Sequence, residues 1–176
     1  MQKSRLIWIM LILSAVIQTS CDSDDDVVLP QIVFNEFCYG PDQEIFVSDA
    51  GYSNDIIMIN TDTFNTPIKI TDANFSLNNN NLEGSGFLLE LSFYGNRAQG
   101  FQEGIYNISN DQEVGNVIAG YNSQFDSNNL NPLVNFSDGY VILQAYRNGY
   151  VIEVNATDFN GDGFHGIFAG PIIPLD

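Results

Sequence analysis

The chain has 176 residues and carries 22 acidic against 5 basic side chains, a net charge of −17, with one His, two Cys and one Trp. These counts exclude a nucleic-acid binder, which needs clustered Lys and Arg to displace counterions. They also exclude a disulfide-framework miniprotein, which needs more Cys, and a His-rich zinc site. Apolar residues make up 44%, ordinary for a globular chain, so the acidity does not mark disorder throughout, and the length suits one domain with a real core.

Residues 1–20 read as a targeting segment. Lys3 and Arg5 form a short positive region, and Leu6 to Ile17 is a run of 12 nearly all apolar residues. A membrane-spanning helix needs about 20 such residues, so this run has the length of a secretory core. Gln18-Thr19-Ser20 and then Cys21 follow. A secretory core ending in a small residue and Cys resembles a bacterial lipoprotein signal, and the resemblance implies that Cys21 becomes the acylated first residue of the mature protein. Gln18 stands where that signal usually carries an aliphatic residue. Ordinary signal-peptidase cleavage near Ser20 and an uncleaved anchor are the other two readings.

Asp22-Ser23-Asp24-Asp25-Asp26 comes directly after the Cys and contains no apolar residue. Such a run cannot pack and stays extended and solvated. With the residues up to Pro30 it makes a tether over 21–30, reaching at most roughly 35 Å. The acidic run also resembles the export signal of Bacteroidota lipoproteins, which implies an outer-membrane lipoprotein displayed on the cell surface. As a plain solvated linker it would leave the protein facing the periplasm. The domain itself offers no basic or amphipathic surface, so its membrane partner would be reached through acyl chains on Cys21.

From residue 31 to 176 the pattern is all-β, and the expectation is a single antiparallel β-sandwich or flattened barrel. No stretch keeps helical apolar spacing for three turns. Phe87 to Tyr94 alternates, with Phe87, Leu89, Leu91 and Phe93 on one face and Glu90 and Ser92 on the other. Shorter β-rich runs occur at 44–48, 56–60, 67–71, 74–77, 104–109, 117–121 and 133–136, separated by polar, Gly- or Asn-containing segments. Leu77-Asn78-Asn79-Asn80-Asn81-Leu82 reads as a long loop tip.

Asn148-Gly149 lies between β-rich runs at 140–147 and 150–157, and Asn-Gly is the preferred pair of a two-residue type I′ hairpin. With Arg147 facing Tyr150, the pairs Ala145–Ile152, Leu143–Val154 and Val141–Ala156 put six apolar residues on one face. A further turn over 158–163 precedes a strand at 164–170. The spacing Gly139-Tyr-Val-Ile, Gly149-Tyr-Val-Ile-Glu-Val, Asp158-Phe-Asn-Gly-Asp-Gly and Gly166-Ile-Phe-Ala-Gly-Pro-Ile resembles the C-terminal meander of Bacteroidota lipoproteins. The resemblance covers about the last 75 residues well and residues 31–100 only loosely, and implies a fold without assigned catalytic residues.

Asp158, Asn160 and Asp162 match the first half of an EF-hand calcium loop, with Gly163 at the turn, but position 12, where a bidentate acid belongs, falls on Ala169. The plainer reading is a turn whose Asp, Asn and Gly supply its dihedrals. Calcium here is the one cofactor the sequence suggests. His165, the sole imidazole, reads as a half-exposed strand residue; any nucleophilic triad would depend wholly on it. Cys38, between Phe37 and Tyr39, reads as a buried thiol, left without a disulfide partner if Cys21 is acylated and able to pair with it otherwise.

A glycosidase needs two carboxyl groups at a defined separation, and no pair among the 18 acids beyond the tether stands out. Tyr52, Tyr94, Tyr121, Tyr140 and Tyr146 are the available aromatic platforms for a glycan, since Trp8 leaves with the signal. Four N-x-S/T sequons at Asn74, Asn107, Asn135 and Asn155 read as chance in an Asn-rich chain. The functional expectation is a lipid-anchored binding or structural module of the cell envelope, not an enzyme, with a glycan or an envelope protein as partner. The alternatives are a small glycan hydrolase using an acid pair and a calcium-stabilised adhesion domain.

Overall fold

Strand β7 (Asn81–Gly95) is the spine of the fold. Its alternation places Phe87, Leu89, Leu91 and Phe93 in the core, as the pattern predicts. In the computed structural model, which describes residues 33–98, 101–129 and 131–175, the described residues form strands and no helix. The other strands are β1 (Glu36–Tyr39), β2 (Glu44–Val47), β3 (Ala50–Ser53), β4 (Ile57–Asn60), β5 (Thr63–Thr71), β6 (Phe75–Asn78), β8 (Gly104–Ile108), β9 (Asn116–Asp126), β10 (Val134–Tyr146), β11 (Gly149–Asp158), β12 (Gly163–Gly170) and β13 (Ile172–Pro174).

The strands make one curled sheet in the order β13-β3-β5-β7-β9-β8-β10-β11-β12-β1-β2, with β4 beside β5 and β6 beside β7. Pairing is antiparallel except at β8–β9 and β13–β3. Rows of core residues cross each half. Ile70, Leu89 and Tyr121 align through β5, β7 and β9. In the other half Tyr106, Val141 and Val154 align, and the row runs on through Gly166 to Phe37 and Phe46. Curling lays the two apolar faces together. Phe46 on edge strand β2 stacks on Phe87 at 4.9 Å between ring centroids and 6° between planes, while Phe37 lies 5.7 Å from Phe87. The result is an all-β, half-barrel-like fold of the flattened-barrel or sandwich type.

Three details depart from the sequence reading. The hairpin between β10 and β11 is present with five of its six expected apolar residues buried and Ala145 exposed, and its turn residues are Arg147 and Asn148. Tyr146 pairs with Gly149, Leu143 with Ile152 and Val141 with Val154. The reason lies outside the hairpin: a Cβ on Gly149 would sit 2.2 Å from the carbonyl oxygen of Gly170. Gly149 therefore serves the close approach of the end of β12 from within its strand, and the left-handed turn position falls on Arg147, with φ 54°. The shift moves the pairing by two residues, and so keeps every side chain on its face.

The run from Leu77 to Leu82 is a tight hairpin instead of a long loop. Asn78 pairs with Asn81, and Asn79 and Asn80 have φ of 48° and 63°, as a type I′ turn demands of both central residues. Asn is the non-Gly residue that best tolerates this region. Finally, the runs at 133–136 and 140–147 belong to one strand, β10, whose register slips once between Phe136 and Asp138. The hydroxyl of Ser137 donates to the carbonyls of Thr157 and Asp158 across that irregularity.

Candidate functional site

Asp158 ends β11 and is 2% exposed, the one fully buried charged side chain among the described residues. Its Oδ1 accepts the backbone amides of Asn160 at 2.8 Å and Asp162 at 3.0 Å. Its Oδ2 accepts the Tyr39 hydroxyl at 2.9 Å and the Asn160 side-chain amide at 3.2 Å. The amide of Asp158 in turn donates to the carbonyl of Asp162. Burial alone would raise the pKa of this carboxyl. The hydrogen bonds from Asp162, Tyr39 and Asn160 outweigh it and hold the group below the usual Asp range.

The three residues expected as calcium ligands, Asp158, Asn160 and Asp162, do come together. The Asp158 oxygens, however, face protein donors. Asn160 donates to Asp158 from its backbone amide and from its side-chain amide, and the Tyr39 hydroxyl points between Asp158 and Asp162, 3.5 Å from the latter. A cation taking the Asp158 oxygens would have to displace N–H and O–H donors that already satisfy them. Ala169, at the twelfth position, lies in β12, and its amide donates to the Asn35 side chain. The arrangement is a clamp: strand β1, through Tyr39, is fastened to the β11–β12 turn. Tyr39 was outside the sequence reading of this loop, being 119 residues from Asp158.

Beside the clamp lies an aromatic cluster. Tyr121 sits 4.9 Å from Tyr39, 5.0 Å from Phe164 and 5.8 Å from Phe136. Burial, reinforced by Tyr39, Glu44 and Asp158, pushes the Tyr121 hydroxyl far up. Burial and the Asp158 bond also raise Tyr39. Both phenols stay protonated in any physiological medium, which suits Tyr39 as a donor to the Asp158 carboxylate.

Of the five tyrosines considered as glycan platforms, Tyr52, Tyr94 and Tyr121 are buried. Tyr140 and Tyr146 are exposed on the outer face of β10, and the Arg147 guanidinium lies over the Tyr146 ring at 5.0 Å. His165 points outward from β12, opposite to Phe164 and Phe168, and is exposed. Cys38 points outward from β1, opposite to Phe37, and is half-buried with a free thiol. Burial, then the Glu36 carboxylate, raises its pKa.

The surface carries shallow depressions. One of about 370 Å³ opens beside edge strand β2, with Phe46 and Phe87 as apolar floor and Ser48, Asp49, Asp72 and Ser123 among its polar lining. Asp72 is engaged there by the amides of Asn74 and Phe87. Another, of about 270 Å³, lies at the β10–β11 turn against Gly170 and Pro171. Among the described residues no three His, Cys, Asp or Glu side chains stand together as a metal cluster. Cys21 and the run Asp22, Ser23, Asp24, Asp25 and Asp26 lie outside the described residues.

No family model matches this sequence, and neither a curated protein nor a solved structure matches it.

Proposed function

We propose that this chain is a lipid-anchored lipoprotein of the bacterial cell envelope, displayed on the surface of the outer membrane and acting as a binding or structural module. The observation that carries the reading is the order of the first 26 residues: a positive start, a short apolar core, Cys21 and an unbroken polar, acidic run. The folded domain bears on the acid-pair alternative at its one fully buried carboxyl group among the described residues. A glycan hydrolase working with an acid pair needs a carboxyl held protonated near neutral pH. The buried carboxylate of this domain is held ionised and tied into a structural clamp.

The test is Cys21→Ala in the producing cell. The substituted protein should move from the membrane to the soluble fraction, and continued membrane association would refute the anchor. Surface display is checked separately by replacing Asp24, Asp25 and Asp26 with Ala. Protease added to whole cells should then digest less of the protein, and undiminished digestion would remove the export role of the acidic run.

A further inference from the structure

One row on the outer face of the sheet gathers the single imidazole and the one thiol of the folded domain. Its register runs Tyr140, Asn155, His165, Cys38, Ile45 through β10, β11, β12, β1 and β2. Cys38 and His165 are direct cross-strand partners, and side chains so placed leave their strands with Cβ atoms about 4.5–5.5 Å apart. Both point away from the core, because Phe37 and Phe164, their neighbours in sequence, occupy it.

A pair of this kind supplies one soft sulfur and one imidazole nitrogen. Metal–sulfur and metal–nitrogen bonds of about 2.3 and 2.0 Å set S and N about 4.3 Å apart when the ion lies on the line between them, a span that matches a cross-strand pair. Zinc in a protein takes four ligands as a rule, and hard cations take six or more oxygens. Copper(I), a soft monovalent ion, accepts two ligands in a line, and thiolate and imidazole both suit it. The surroundings favour a cation. Glu36 and Glu153 flank Ile167 in the adjacent row of the same face and place two carboxylates beside the pair. Ile45, 57% exposed, stands on the other side of Cys38 and presents no competing ligand. Asn155 is the register partner of His165 on its far side.

We propose that Cys38 and His165 form a two-coordinate site for copper(I). Binding replaces the thiol S–H bond by an S–Cu bond, releases that proton to solvent and leaves the ion's oxidation state unchanged; His165 adds its neutral nitrogen lone pair.

The test uses the full chain under anaerobic, reducing conditions, with copper(I) presented as its coloured bicinchoninate complex. The wild type should take up one equivalent that Cys38→Ser does not, with thiolate-to-copper absorption in the ultraviolet and one proton released. His165→Gln should weaken that uptake by about ten-fold or more. Circular dichroism and melting of both variants should match the wild type, since both side chains lie outside the core. Equal uptake by Cys38→Ser, or full-strength uptake by His165→Gln, overturns the proposal. So does displacement of the copper by an equal concentration of zinc.

Discussion

Replacing Asp158 with Asn changes one atom of the side chain and its charge, and the clamp tells what should follow. The carboxylate accepts four donors while 2% exposed. Asn keeps an oxygen for the two backbone amides but as a neutral acceptor. A hydrogen bond to a charged group contributes about 1.5–3 kcal/mol and a neutral one about 1 kcal/mol. Tyr39 can rotate its hydroxyl to accept from the new amide, and the Asn160 side chain is exposed and can turn to water. The loss is therefore carried mainly by the two amides, and Asp158→Asn should cost about 1–3 kcal/mol at neutral pH. Urea unfolding followed by far-ultraviolet circular dichroism measures it; Trp8 lies outside the described domain.

The same variant gives a pH signature. The folded pKa of Asp158 lies below the unfolded value, so its stabilisation is complete above the ordinary Asp range near roughly 3.9. As pH falls through that range and on through the folded pKa, the unfolded chain binds the proton first and the stabilisation is lost. Subtracting the Asp158→Asn profile from the wild-type profile cancels the other carboxylates. The gap should be flat from pH 7 to about 5 and close below about 4. No gap at pH 7, or a gap that widens in acid, would refute the clamp.

Three further outcomes follow from the packing. Phe87→Ala removes a 3% exposed ring that touches both Phe37 and Phe46, where the two halves of the sheet meet, and should cost about 3–5 kcal/mol in the same urea assay. Gly149→Ala places a Cβ against the backbone of Gly170, which has no side chain to move aside, and should cost about 1–3 kcal/mol. Adding calcium or a chelator should leave the melting temperature unchanged, because the Asp158 oxygens already have donors; a calcium-dependent rise would show that the loop opens to take the ion.

The sequence was most legible where a pattern is local. The alternation of β7 and the β10–β11 hairpin could be read directly, because period-2 burial is written into consecutive residues. The turn of that hairpin was misplaced by one residue because Gly149 answers to Gly170, a neighbour brought by β12 and invisible within the hairpin. The Asn79-Asn80 turn was overlooked because its signal is two residues that tolerate positive φ without the usual glycine. Strands β1 and β3 were missed for a different reason. Glu36-Phe37-Cys38-Tyr39 and Ala50-Gly51-Tyr52-Ser53 are four residues each, too short to display an alternation, and are completed by pairing with β12 and β5. At the loop the residues Asp158, Asn160 and Asp162 were legible as a unit, but the group that decides their chemistry, the Tyr39 hydroxyl, comes from β1.

That dependence on distant partners also orders the stability within the domain. Strands β10, β11 and β12 meet through short connections, whereas β1 reaches β12 only by closing a chain of more than a hundred residues, at an entropic cost of about 4 kcal/mol. It is retained by side-chain bonds at both ends, Asn35 to the amide of Ala169 and Tyr39 to Asp158, and by Phe37, which is fully buried. Edge strand β2 pairs with β1 in the sheet order, so β1 and β2 should open together before the meander does. Hydrogen exchange tests this in the wild type and in Asp158→Asn. Amides of β1 and β2 should exchange faster than those of β10 to β12, and the substitution should speed the first group more than the second. Equal acceleration of both groups would mean that Asp158 stabilises the sheet as a whole, and that β1 is no more detachable than the strands formed by its neighbours in sequence.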